Sequence, residues 1–296
     1  MKFFEKKENV YIHSRPENSE LYETIWSFQH SAQKNNQATW GIDRKRHLRT
    51  LVGIPFTDLT GIRVLDLCCG LGRLSAACLE ENARSVVCAD GTWKGPNSAY
   101  EKIVNLDSAY ADRLTPVQLD VEKIDECFEE MSFDFIIHYH SLQHMKDFKS
   151  TLTSMRRLLN HRGIMSFNFF TTGTTPQIVF DIRKILKVHP LSTVVDLVSD
   201  LGKIQGIEKK FGIVDLMSKH VRSDLNNKYE SLVIDLLPIV KKYGYEDFDN
   251  HVHLEDFMTP YLHNFDHDEI LKFVQQDLEM EVIRSSPPGW ITAWRK

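Results

Sequence analysis

VLDLCCGLGRLS, residues 64–75, carries the chain from an apolar strand into a glycine turn and out into a helix. Arg63 to Leu67 read as a short buried strand ending near Asp66. Gly70 and Gly72 allow a sharp turn in which backbone can approach a ligand without interference from a Cβ. Apolar residues at helical spacing then run from about Leu71 to Asn82. Cys68 and Cys69 fall inside this turn. Adjacent cysteines strain an intramolecular disulfide and neither has a partner at metal-binding spacing, so they read as small apolar side chains at a buried strand end.

The same strand-then-helix alternation continues outward. RSVVCAD (84–90) is a second apolar strand ending in an acid, SAYEKIVNLDSAY (98–110) a helix, and TPVQLD (115–120) a third strand ending in an acid. FDFIIHYH (133–140) is a fourth strand, FKSTLTSMRRLLNHRG (148–163) a helix stopped at Gly163, and IMSFNFF (164–170) a fifth strand. Such alternation predicts right-handed βαβ crossovers and a doubly wound, Rossmann-like α/β sheet, mostly parallel. HDEILKFVQQDL (267–278) reads as a late helix opened by Asp266 and Glu269 at capping-box spacing, with EMEVIRSS and WITAWRK as two closing strands and an antiparallel last strand.

Two regions fall outside this alternation. Residues 1–45 read as an N-terminal arm, polar and dotted with aromatics, placed over the active site. Residues 176–245 read as amphipathic helices, a helical insert serving as substrate lid or dimer interface between core segments 46–175 and 246–296.

Composition narrows the function. The chain has 296 residues, 42% of them hydrophobic, enough for a full core. A formal charge of −5 gives no global attraction to phosphate backbones, so no nucleic-acid partner is expected. No apolar run is long enough to span a bilayer, so no membrane association is expected either. The five cysteines show neither a disulfide framework nor CxxC spacing, which suits reduced thiols and a cytoplasmic location.

In an open parallel sheet, ligands bind beyond the carboxyl ends of the strands. Asp66, Asp90 and Asp120 each end a strand there, a pattern favouring an adenosine ligand: Asp90 is placed for ribose hydroxyls and Asp120 for an adenine amino group. Acids also simply open turns, and D-x-x-x-G-x-G alone would serve a dinucleotide equally well.

Taken in order, VLDLCCGLGRLS, VVCAD, VQLD, FDFIIHYHSLQHMKD and the helix and strand after them resemble the successive motifs of class I S-adenosylmethionine-dependent methyltransferases over about residues 61–170. DFMTPYLHNFDHDEILKFVQQDLEMEV (256–282) resembles a tail found in one branch with a helical insert after the fifth strand. The resemblance implies S-adenosylmethionine as cofactor and S-adenosylhomocysteine as product. It places Asp66, Gly70 and Gly72 beside the methionine portion, Asp90 at the ribose, Asp120 and Val121 at the adenine, and His138 to His144 beside the sulfonium and the incoming substrate, with Cys68, Gly91 and His138 also among the cofactor-binding residues. Cys68 stands where the family usually has glycine, alanine or another small residue, and GTWKGPNSAY (91–100) is richer in Gly, Pro and Trp than the usual helix start, with Trp93 a candidate stack for the adenine.

Methyl transfer is an in-line displacement helped mainly by positioning. Where the nucleophile carries a proton, histidine is the side chain suited to remove it, and His140, His144 and His263 are the candidates. Each could equally be a hydrogen-bonded linker. The histidines are dense, yet no zinc or iron spacing is present and no metal is expected. Trp26, Phe28, Gln29 and Trp40 are candidates to cover the cofactor, and Arg49 to meet its carboxylate. The expected partner is a small or medium-sized organic acceptor, with a homodimer possible. The alternatives are a cofactor-binding regulator without turnover and an RNA or protein methyltransferase.

Overall fold

The computed structural model describes residues 1–16, 19–20, 22–23, 44–52, 58–172, 177–190, 193, 196, 231–232, 234–236, 238–239, 242, 259, 261–286 and 289–296. Its contacts separate two compact units. The first comprises 1–26, 37–174 and 261–296, the second 27–36 and 175–260.

The first unit holds a nine-stranded sheet in the order β1-β2-β5-β4-β3-β6-β7-β9-β8. Its central strands are β3 (Arg63–Leu67), β4 (Ser85–Asp90), β5 (Leu114–Gln118), β6 (Phe133–His138) and β7 (Leu159–Asn168), all parallel. The closing hairpin β8 (Met280–Ser286) and β9 (Trp290–Arg295) joins β7 antiparallel. This is the expected mostly parallel Rossmann-like sheet with an antiparallel end.

Strand alternation divides the core between two faces. Leu65, Leu67, Val87, Ala89 and Val117 point into one cluster, while Val64, Val86, Cys88, Phe135 and Ile137 point into the other. The first cluster is covered by α4 (Phe148–Leu158, through Leu152, Met155 and Leu158) and by α6 (His267–Lys272, through Ile270). The second is covered by α1 (Arg44–Val52, through Leu48), α2 (Arg73–Glu80) and α3 (Lys94–Leu106). Burial on both faces explains why the strands read as continuous apolar runs.

Several boundaries differ from the sequence reading. Helix α3 begins at Lys94 rather than Ser98, because Gly95 and Pro96 lie in its first turn, where a missing donor costs nothing and the Gly95 N–H is met by the Thr92 hydroxyl. Helix α4 ends at Leu158, not Gly163. Arg295 donates to the carbonyls of Arg156, Arg157 and Leu159, a cation closing the helix C-terminus, and the chain is already paired as β7 from Leu159.

The N-terminal region also begins as sheet. β1 (Glu5–Lys7) and β2 (Val10–Ile12) form a hairpin whose second strand pairs parallel with β5.

In the second unit, α5 (Gln177–Leu186) buries Val179, Ile182, Arg183 and Leu186. Arg183 donates to the Thr259 carbonyl at 2.8 Å. Most of the expected insert helices, and His251 and His253, lie outside the described residues.

Candidate active site

The strand order reverses at β3, which has β4 on one side and β6 on the other. Beyond its carboxyl end the chain makes the turn of residues 68–72. Cys68 adopts φ 55°, Gly70 φ 51° and Gly72 φ 75°, so a non-glycine residue occupies a left-handed position beside two glycines. The turn is pinned from β4: the Gly70 N–H donates to Asp90 Oδ2 at 3.1 Å, and the Cys69 N–H to the Ala89 carbonyl at 3.0 Å.

Asp90 receives two further hydrogen bonds at Oδ1, from the Thr92 N–H at 3.0 Å and the Thr92 hydroxyl at 2.8 Å. Burial nevertheless raises its pKa. Asp66 accepts the Ser75 hydroxyl at 2.6 Å, and burial pushes its carboxyl up to about 7. Asp120 ends the segment after β5 and accepts the Glu122 N–H at 3.1 Å, capping the turn in which Val121 is buried. The Gly91 carbonyl accepts from Gln118 Nε2, and a Cβ at Gly91 would stand 3.0 Å from Pro16. Gly72 serves packing, since a Cβ there would lie 2.5 Å from the Cβ of Ala99 on α3.

A recess of about 290 Å³ opens at the carboxyl ends of β3 and β6, lined by Asp66, Cys68, Cys69, Arg73, Leu74, Tyr139 and His140. Its chemistry suits the methionine end of an adenosyl amino acid: a carboxylate, a guanidinium whose Nε is buried without a hydrogen-bond partner, and a glycine turn. Next to it, the strand-end acids Asp90 and Asp120 suit a nucleoside. The residues present fit the cofactor that the sequence resemblance implies.

Residues 64–163 match the methyltransferase domain family model. This stretch is a class I S-adenosylmethionine-dependent methyltransferase domain. Domains of this family take S-adenosylmethionine as their cofactor. No curated protein sequence matches the chain. Among solved structures, the chain is 15% identical to a protein from Methanococcus maripaludis assigned as an S-adenosylmethionine-dependent methyltransferase, with 96% of each chain covered and a TM-score of 0.48. It is 14% identical to magnesium protoporphyrin IX methyltransferase from Synechocystis, solved with S-adenosylhomocysteine bound, over 94% of this chain and 96% of that one, with a TM-score of 0.47. A Listeria monocytogenes protein, likewise assigned, is 19% identical over 46% of this chain, with a TM-score of 0.38; the chain spans 58% of that protein's length.

The histidines are distributed unevenly around the recess. His140 lines it, exposed, at φ 57°, with its ring edge-on to Tyr139 at 4.0 Å and its backbone N–H on Asn168 Oδ1. His144 is buried, with Nδ1 3.2 Å from the Tyr261 carbonyl and Nε2 3.3 Å from Gln143 Nε2. His263 is half-buried, with Nε2 2.9 Å from the Met145 carbonyl and its ring stacked near Phe265.

His138 is 0% exposed, and burial, with His144 nearby, lowers its pKa to about 3, so it is neutral at physiological pH. Its Nε2 lies 2.9 Å from the Ser141 hydroxyl, which is also 3.3 Å from the Tyr139 carbonyl. The tautomer with the proton on Nε2 satisfies every donor and leaves Nδ1, which has no partner, as a bare acceptor.

Arg49 is engaged elsewhere, donating to Glu81 at 2.7 Å. Trp93 lies under the Lys7 ammonium, 4.3 Å from the ring centroid. Trp26, Phe28, Gln29 and Trp40 lie outside the described residues. Sequence reasoning passed over Arg73, Tyr139, Ser75 and Thr92. The two hydroxyls sit where spacing hints at them, Thr92 two residues after its acid as in a side-chain turn, and Ser75 in the first turn of α2.

Among the described residues, no group of three or more His, Cys, Asp and Glu is placed to hold a metal, and no helix is long and apolar enough to cross a membrane.

Proposed function

We propose that the enzyme transfers the methyl group of S-adenosylmethionine in line to a small or medium-sized organic acceptor. The supporting observation is the recess. Among the described residues lining it, Arg73 is the one cation, whereas a groove for RNA would present several lysines and arginines to track phosphates. Five free thiols suit a reducing compartment such as the cytoplasm.

The bound cofactor supplies an electrophilic methyl carbon on a sulfonium. Asp90 and the turn it pins hold the nucleoside side, Asp120 and Val121 border the adenine, and Asp66 faces the methionine ammonium. The Tyr139 phenol and the exposed His140 ring form the wall where an acceptor approaches. His140 takes the proton from an acceptor hydroxyl or amine at a ring nitrogen. His144 and His263 act through their hydrogen bonds, holding the segment after β6 against the tail.

Incubation with methyl-labelled S-adenosylmethionine and fractionated cell extract should place label in the small-molecule fraction. Label confined to RNA or protein, or no transfer to any fraction, overturns the reading. Asp90→Ala should abolish S-adenosylhomocysteine binding measured by calorimetry. His140→Asn, chosen because asparagine tolerates a left-handed backbone, should lower kcat by roughly 10²-fold or more with little change in product affinity. Activity kept within a few-fold would remove the base and leave positioning alone.

A further inference from the structure

Strands β6 and β7 pair in register as far as His138 and Phe167, where the ladder stops. Two residues on, the His140 N–H is met by a side chain instead of a strand carbonyl, Asn168 Oδ1 at 2.6 Å. Asn168 is the last residue of β7 and is buried. Its bond satisfies a backbone donor that the left-handed turn at His140, φ 57°, carries away from the sheet. A non-glycine residue keeps such a φ only where its surroundings over-determine it.

Asn168 is itself fixed from the closing hairpin. It pairs with Trp290 at the start of β9, the Phe169 N–H donates to the Gly289 carbonyl, and two residues back the Ser166 and Thr292 hydroxyls meet at 3.0 Å. The Trp290 ring lies 5.2 Å from that of Tyr139, which in turn lies 4.0 Å from that of His140. Four residues from β6, β7 and β9 thus hold one another in a closed circuit at the edge of the recess. The outcome is selective: His138 and His144 on either side are buried, whereas His140 is exposed and lines the recess.

We propose that Asn168 is a positioning residue for methyl transfer, holding the His140 backbone in its left-handed turn and so keeping the imidazole at the recess, where it takes the acceptor's proton. The inference rests on the base role given to His140 and adds the residue through which the fold delivers that base. Misplacing a reacting group by a fraction of its working distance is costly in rate, so a bond that only orients a base still carries a kinetic effect.

The test uses the full-length protein, methyl-labelled S-adenosylmethionine and the small-molecule fraction of a cell extract, and reads the initial rate of label transfer. Asn168→Ala should lower that rate by roughly 10-fold or more while S-adenosylhomocysteine affinity by calorimetry stays within about twofold. Asn168→Asp keeps an oxygen in the same place, so it should restore the rate to within about threefold of wild type at its own optimum, and its carboxylate beside His140 should move the acidic limb of the pH–rate profile up by roughly 0.5–1 unit. The other titratable groups lining the recess, Asp66, Arg73, Tyr139 and the Cys68 and Cys69 thiols, are the same in all these proteins, so the displaced limb reports on His140. In a His140→Asn background, Asn168→Ala should change the rate by less than about twofold.

An Asn168→Ala protein with the wild-type rate overturns the inference, as does one whose loss recurs in full in the His140→Asn background. If Asn168→Ala does not fold, Asn168→Asp decides alone, and an acidic limb left at its wild-type position overturns the inference. A His140→Asn protein that keeps the wild-type rate overturns the base role, and this inference with it, while label reaching the small-molecule fraction leaves the small-acceptor reading standing.

Discussion

Asp66 and His138 lie on neighbouring strands, and burial moves their ionisation in opposite directions. The Asp66 carboxyl is pushed up to about 7 and the His138 imidazole down to about 3. Folding therefore takes up a proton at Asp66 between its ordinary carboxylate range and pH 7, so this group's contribution is fully present at low pH and is lost as pH rises. His138 does the reverse. The folded state binds fewer protons than the unfolded one between pH 3 and the ordinary histidine range, so its contribution grows as pH rises. Over much of the same window the two slopes offset each other. Urea unfolding of the ligand-free protein from pH 4.5 to 7 should show this: Asp66→Asn makes stability rise with pH more steeply than wild type, and His138→Gln makes it fall. Each change in slope should be at most about 1.4 kcal/mol per pH unit, and parallel profiles for all three proteins would remove the assignment. The acids at the strand ends were legible in the sequence because strand-end position is a one-dimensional property. Which histidine faces the recess was not, because HYHSLQH looks uniform until the left-handed turn at His140 and the bonds to the Tyr261 and Met145 carbonyls separate its members and His263.

At the scale of elements, the glycine turn does two jobs that sequence alone merges. Gly70 is pinned through its N–H to Asp90, whereas the bare Cα of Gly72 faces Ala99 and Ile103 and lets α2 and α3 cover the same face of the sheet. Gly61 provides a control. It too has a positive φ, 83°, but open space where a Cβ would go. Gly61→Ala should cost about 1 kcal/mol from backbone strain, and Gly72→Ala about 1–3 kcal/mol more from the clash. Ala99→Gly combined with Gly72→Ala should recover part of that excess, as read from denaturant midpoints. Equal losses at the two glycines would mean that conformation, not packing, requires Gly72. Element identity was readable throughout the core, because apolar period separates strand from helix. Boundaries were not. The start of α3 depends on Thr92 receiving the Gly95 N–H, and the end of α4 on Arg295, which arrives from the far end of the chain.

For the sheet-bearing unit as a whole, the least legible feature is the N-terminal hairpin. In FFEKKENVYIHS, β1 is Glu-Lys-Lys and fully exposed, so it carries no apolar signal; charged residues on an outer strand are what keeps a sheet edge from pairing with other chains. The second strand shows its purpose. Val10 and Ile12 are buried against the core, and Tyr11 pairs with Val117 of β5. The strand also leads into Ser14 and Pro16, where the Ser14 hydroxyl accepts the Asp120 N–H at 3.0 Å and Pro16 stands against Gly91. The hairpin thus closes an open edge and steadies Asp120 and Gly91, which are proposed to border the cofactor. Removing residues 1–16 should therefore have two separable effects. Loss of two buried aliphatic side chains should lower stability by about 3–6 kcal/mol, and the bared β5 edge should promote self-association visible by light scattering. S-adenosylhomocysteine affinity should fall as well. Ser14→Ala isolates the second effect: it should weaken product binding several-fold through a less constrained Asp120, with a stability loss of only about 1 kcal/mol. If the truncated protein kept wild-type stability and affinity, the hairpin would be an appendage and the site would be complete from β3 onward.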